Sequence, residues 1–145
     1  MAGRRLLVVP SPSEGAGLTI RIVQLGSPRH AGEGVRIGTV RRPPRGVRKA
    51  RYAKDNWFDV WYPELSPAPD LMVQGQSAES RTEWNAFVRK FRKQMSEHAP
   101  SRTLDLLSAL SATTNFSLGC YCEHEERCHR SVLRALLEER GASVI

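Results

Sequence analysis

Near its end the chain changes hydrophobic period once, and that change does most to limit the folds open to it. Residues 116–121 read as a strand carrying Phe116, Leu118 and Cys120. Residues 130–140 read as an amphipathic helix on Val132, Leu133, Leu136 and Leu137, closed by Gly141. A late strand that feeds a helix belongs to layered α/β architectures rather than to bundles or sandwiches of strands alone.

The rest of the chain can be placed around that unit. Residues 19–25 form a first strand, with β-branched bulk from Ile20, Ile22 and Val23, and stop at Gly26-Ser27-Pro28-Arg29. A second short strand is expected over residues 35–40. The segment Arg42-Pro43-Pro44-Arg45-Gly46 cannot be regular, because proline removes donors and restricts its predecessor. Residues 55–72, rich in aromatics and prolines, read as an extended arm or short strand followed by turns. Ser80-Arg81-Thr82-Glu83 is a capping-box pattern, and Trp84, Phe87, Val88, Phe91 and Met95 follow at helical spacing. Another helix starts at Pro100-Ser101, with Leu104, Leu107 and Leu110 inward, and residues 142–145 allow a final short strand. The expectation is a small layered α/β sandwich with a partly parallel sheet and helices packed on it. Residues 1–18 form a flexible or edge-strand extension, the strand option resting on residues 6–9, and residues 19–145 form a single domain.

No apolar run approaches the roughly 18 residues of a membrane-spanning helix. The apolar part of the N-terminus is shorter than the roughly 7–15 residues of a signal peptide. Three cysteines, an odd number gathered in one loop, fit reduced thiols or a metal site better than a disulfide framework. These features point to a cytoplasmic protein with no membrane partner.

The net charge of +7 is unevenly spread. Arg41, Arg42, Arg45, Arg48, Lys49, Arg51 and Lys54 stand in fourteen residues without an acid. Such a block attracts a phosphorylated small molecule or nucleic acid, and it also suits a solvated loop. Arg89, Lys90, Arg92 and Lys93 form the ordinary charged outer face of a surface helix. Trp57 and Trp61, four residues apart, read as packing rather than as a ligand cage.

The cysteine–histidine corner, Cys120-Tyr121-Cys122 to Cys128-His129-Arg130, supports three readings. In one, the first turn of the last helix and Arg130 hold an anion, and Cys122 is a thiolate of lowered pKa. The spacing is not the phosphatase loop, since Arg127 falls one position short and no Gly-rich cradle follows. In another, Cys120, Cys122, Cys128 and His129 or His124 hold zinc, although Cys-x-Cys differs from the usual C-x2-C knuckle. In the last, the cysteines are small core residues and the histidine and arginine brace the helix.

Three pieces of sequence resemble domain of unknown function family 488, in its branch with a C-terminal Cys-His-Arg motif. They are Arg41 with Pro44-Arg45-Gly46, Trp61-Tyr62-Pro63-Glu64-Leu65-Ser66-Pro67 leading into the Trp84–Phe87–Phe91 helix, and Gly119-Cys120-Tyr121-Cys122-Glu123 followed by Cys128-His129-Arg130. Together they span residues 19–142. An acid usual before the first arginine is replaced by Val40. The resemblance implies an α/β sandwich of modest size and brings no established activity.

The functional expectation is therefore an anionic ligand, nucleotide or nucleic acid, in a crevice between the Cys122–Arg130 corner and the arginine-rich arm. Arg41, Arg45, Arg48 and Arg130 are the candidate anion binders, and Cys122, Cys128 and His129 the candidates for any catalysis. No cofactor is expected. The alternative is a zinc-stabilised interaction module without catalysis, with the metal on Cys120, Cys122, Cys128 and His129. Neither a reaction nor an oligomeric state is written in the sequence.

Overall fold

The computed structural model describes residues 18–145, and the expectations for residues 1–17 lie outside that span. Four strands form one sheet: β1 (Ile20–Gln24), β2 (Val35–Gly38), β3 (Val60–Trp61) and β4 (Phe116–Cys120). Four helices accompany them: α1 (Pro69–Ser77), α2 (Arg81–Met95), α3 (His98–Leu110) and α4 (His129–Glu139). The strand order is β1-β4-β2-β3. Every strand pair is parallel, so the sheet is parallel throughout rather than in part.

β4 sits between β1 and β2, in register so that Ile20 and Val35 both face Phe116. All five of its residues are buried, as expected for a strand covered on both faces. Phe116 and Leu118 point to the helical layer, where they meet Phe87, Phe91, Leu104, Leu133 and Leu137 in the main core. α2 begins with a complete capping box: the Ser80 hydroxyl accepts from the Glu83 amide, and the Glu83 carboxylate accepts from the Ser80 amide. α4 lies against α2, α3 and β4, which fixes the direction in which its first turn points.

The other face of the sheet is covered by irregular chain. Gly38 and Gly119 leave room for it: a Cβ would lie 2.4 Å from the Phe58 ring at Gly38 and 2.4 Å from Leu25 at Gly119. Leu25, Val40, Phe58, Cys120 and Cys128 make a second, smaller core there. The connection from β2 to β3 is held by a buried ion pair. Arg36 Nε donates to Glu33 at 2.8 Å, and both side chains are almost fully buried. The remaining Arg36 nitrogens donate to the carbonyls of Ser27, Pro28 and Asn56. Burial alone would push the Glu33 carboxyl up, but hydrogen bonds from Arg36, Ser117 and the His30 amide outweigh it and hold the group at about 2. The chain segment leading to Trp57 thus hangs on the beginning of β2.

Three elements differ from expectation. α1 occupies part of the stretch read as turns. Pro69 stands in its first turn, where proline is tolerated, and only Leu71 is buried, so no apolar period announces it. Leu110 is exposed, because the inward stripe of α3 runs from Leu104 and Leu107 to Ser111. The final strand is reduced to one parallel bridge between Val144 and Ile20. Among the described residues no helix is long and apolar enough to cross a membrane.

Candidate functional site

Parallel strands deliver side chains and loops to one edge of a sheet, at their carboxyl ends. Here β2 runs out into Val40, Arg41 and Arg42, and β4 into Cys120, Tyr121 and Cys122. Between these ends opens a cavity of about 580 Å³, within the roughly 300–1,000 Å³ of small-molecule sites. Arg42 and Arg45 reach it from the irregular arm and are exposed. Trp57 and Tyr121 supply aromatic surface, and Met72 and Gln76 of α1 close the far side. Cys120 at the end of β4 and Cys122 just beyond it line it as well.

The walls are fixed by specific contacts. The Tyr121 hydroxyl donates to the Arg42 carbonyl at 2.8 Å and pins the arginine loop to the end of β4. Its pKa is pushed up to about 12, first by burial and then by Cys120 and Tyr52, so it remains a donor. Trp57 lies over Gly26 and meets Tyr121 edge-on, with ring centroids 5.9 Å apart. Arg41 is a tether as well as a wall: its Nη2 donates to the carbonyls of Ser66 and Pro67 at 3.0 and 2.9 Å. Its Nε is buried without a partner among the described residues.

Behind the Cys120–Cys122 wall lies a buried cluster of sulfur and nitrogen. Cys120 Sγ and Cys122 Sγ are 3.8 Å apart. Cys128 Sγ lies within 4.8 Å of Cys120 Sγ and stands 3.7 Å from Nδ1 of His129. His129 Nε2 lies 2.7 Å from the Thr39 carbonyl, which can only accept, so the proton is on Nε2. The Thr39 hydroxyl in turn donates to the Gly119 carbonyl. All three cysteines are free thiols.

Arg130 is also part of this cluster. It is 2% exposed, and its Nε donates to Cys128 Sγ at 3.3 Å while its Nη atoms donate to the carbonyls of Val23 and Cys122. Among the described residues no carboxylate faces it. Hydrogen bonds from Cys120 and then Cys122, aided by His129, hold the Cys128 thiol far below its ordinary value against the opposing effect of burial. Cys120 is pushed up correspondingly by its bonds to Cys122 and Cys128. At Cys122 the bond from Cys120 favours the thiolate, but the pull of Cys128 and burial outweigh it, and the thiol ends above its ordinary value.

The structure thus brings together Cys120, Cys122, Cys128, His129 and Arg130, and sets Arg41 and Arg45 on the neighbouring cavity. Arg130 does not face that cavity. Expected as a clamp for an external anion, it serves the chain's own sulfur and carbonyls, because the first turn of α4 is packed inward. Arg48 is exposed outside the cavity lining, and His124 is exposed among Glu123 and Glu126. The turn 26–29 grips Arg36, Asn56 and Asp59. Arg42, Trp57, Tyr121 and the α1 wall were not among the candidates. The signal for Tyr121 was its place directly after a strand, at the carboxyl end where parallel strands present ligand-facing side chains.

The family described as the active DUF488-N3 subclade matches residues 20–141 of the chain. No curated protein and no solved structure matches it.

Proposed function

The chain belongs to the DUF488 family, and we propose that it binds a nucleotide, free or within a strand, in the cavity at the carboxyl ends of β2 and β4. One observation carries this reading: exposed Arg42 and Arg45 and the rings of Trp57 and Tyr121 converge on a single cavity of about 580 Å³. Guanidinium groups recognise phosphate through charge-assisted, often bidentate hydrogen bonds. Aromatic faces hold bases by stacking, worth about 1–3 kcal/mol per base. A cavity with both kinds of group suits a ligand that carries both phosphate and base. The acid-free run of positive charge from Arg41 to Lys54 raises the local concentration of any such anion.

The test is calorimetric titration with nucleoside mono- and diphosphates, beside short single- and double-stranded oligonucleotides at about 50 and 200 mM salt. Arg42→Ala and Arg45→Ala should each weaken binding roughly tenfold or more, the scale of a lost charged hydrogen bond. Binding confined to oligonucleotides, with a steep salt dependence, would place the natural ligand within a strand. If no nucleotide and no oligonucleotide binds at the lower salt, the proposal fails.

A further inference from the structure

We propose that Cys120, Cys122, Cys128 and His129 form a mononuclear site for zinc, buried between the end of β4 and the first turn of α4, behind the wall of the cavity. Four observations converge on it.

The first is spacing. A zinc ion with Zn–S bonds of about 2.3 Å and Zn–N bonds of about 2.0–2.1 Å has tetrahedral edges of about 3.8 Å between sulfurs and about 3.6 Å between sulfur and nitrogen. The Cys120–Cys122 separation is 3.8 Å, and the Cys128–His129 Nδ1 separation is 3.7 Å. The ligand atoms of Cys120, Cys128 and His129 all lie within 4.8 Å of one another. Two of the six edges thus already stand at tetrahedral length, and side-chain rotation, chiefly of Cys122, would draw the remaining pairs in to close on one ion.

The second is the histidine tautomer. Nε2–H donates to the Thr39 carbonyl at 2.7 Å, which leaves Nδ1 with its lone pair toward the sulfurs. A metal-bound histidine typically donates its other ring N–H to such a carbonyl, which sets the ring's orientation and strengthens it as a ligand.

The third is charge. Three thiolates and one divalent cation leave a net charge of −1, and buried Arg130, whose Nε points at Cys128 Sγ, brings the site to neutrality. Without a metal, a buried guanidinium has no carboxylate partner among the described residues, and the sulfurs must supply the countercharge between them. Burying an unbalanced charge is costly, and the zinc-bound arrangement avoids it. It also leaves the adjoining cavity with only its arginine charge, so the thiolates do not repel an anionic ligand.

The fourth is ligand chemistry. Three thiols and an imidazole form a closed, soft donor set of the kind that selects zinc over magnesium or calcium. With four protein ligands no coordination position remains open, so the ion's role is to tie the end of β4 to α4. Cys122, only partly buried, is the most accessible of the four ligands.

The experiment uses the full chain expressed without a histidine tag. Metal analysis of the purified protein should give one zinc per chain. After removal of the zinc, cobalt(II) should bind with the same stoichiometry and show thiolate-to-cobalt charge transfer and the intense d–d bands of a tetrahedral centre, and zinc should displace it. If the stripped chain loses structure, refolding with cobalt should restore both the fold and the bands. Cys122→Ser, at the most accessible ligand, should weaken zinc binding at least about tenfold while leaving the circular dichroism of the zinc-loaded protein unchanged. A folded wild-type protein that takes up no zinc and gives no cobalt bands would overturn the proposal. So would a brown product containing iron, or a Cys122→Ser variant with unchanged zinc affinity. None of these readouts involves a nucleotide, so failure here is distinguishable from failure of the cavity's proposed function.

Discussion

Replacing Glu33 by Gln should expose how much of the cavity wall depends on one buried charge. The substitution keeps the shape of the side chain and removes its negative charge from Arg36. The Glu33 carboxyl is held at about 2 against an ordinary value of 4.5. At about 1.36 kcal/mol per pKa unit, that difference stabilises the folded chain by about 3 kcal/mol. The figure agrees with the roughly 3–5 kcal/mol lost when one member of a buried ion pair is removed. Because the folded value lies below the ordinary one, the stabilisation is fully present above pH 4.5 and is lost as the pH falls toward about 2. Wild type should therefore exceed the variant by about 3 kcal/mol at neutral pH and by only about 1 kcal/mol near pH 3. Urea unfolding followed by circular dichroism at a series of pH values measures both. A gap that stays constant between those two pH values would refute the reasoning, since the loss would then come from hydrogen-bond geometry and not from charge.

Two further outcomes follow from other parts of the fold. Gly34 combines φ +80° with a position where a Cβ would lie 2.0 Å from the Asn115 carbonyl oxygen, so neither the backbone nor its neighbour can yield cheaply. Gly34→Ala should lower the melting temperature by roughly 6–12 °C, for a cost of about 2–3 kcal/mol, and a calorimetric scan within a degree of wild type would contradict the clash. The three cysteines should titrate as three free thiols in denaturant with a chelator and no reductant. A titre of one would reveal a disulfide among them.

Much of the architecture was readable because period and punctuation agree over long stretches. The capping box at Ser80 announces α2, and Phe87, Phe91 and Met95 repeat at its period. The strand from Phe116 and the helix on Leu133 and Leu137 were legible for the same reason. α1 was not, since nine residues with one buried side chain, a leading proline and Gly75 carry no periodic stripe. The direction of Arg130 was hidden too. Its position in the first turn of a helix is visible in sequence, but whether that turn faces solvent or core depends on how α4 rests on α2 and α3. The Glu33–Arg36 pair leaves little trace, because two opposite charges three residues apart usually mean an exposed contact, and only the covering arm buries them. At the candidate site the chemistry-bearing residue types were evident. Their division between an arginine-lined cavity and a sulfur cluster behind it required the strand order.

That strand order has a consequence for how the molecule comes into being. β1 and β2 are made early in synthesis, yet neither pairs with the other, because the place between them belongs to β4, which emerges some eighty residues later. Until then both strands present open edges with their main-chain donors and acceptors unmatched, a state prone to misassociation. Pairings over such sequence distances close slowly, since the loop entropy is lost before the contacts are gained. The insertion of a single wholly buried strand therefore completes the sheet and the cavity wall together. Chains that stall before Phe116 should be aggregation-prone intermediates and natural clients of chaperones, rather than smaller versions of the folded protein.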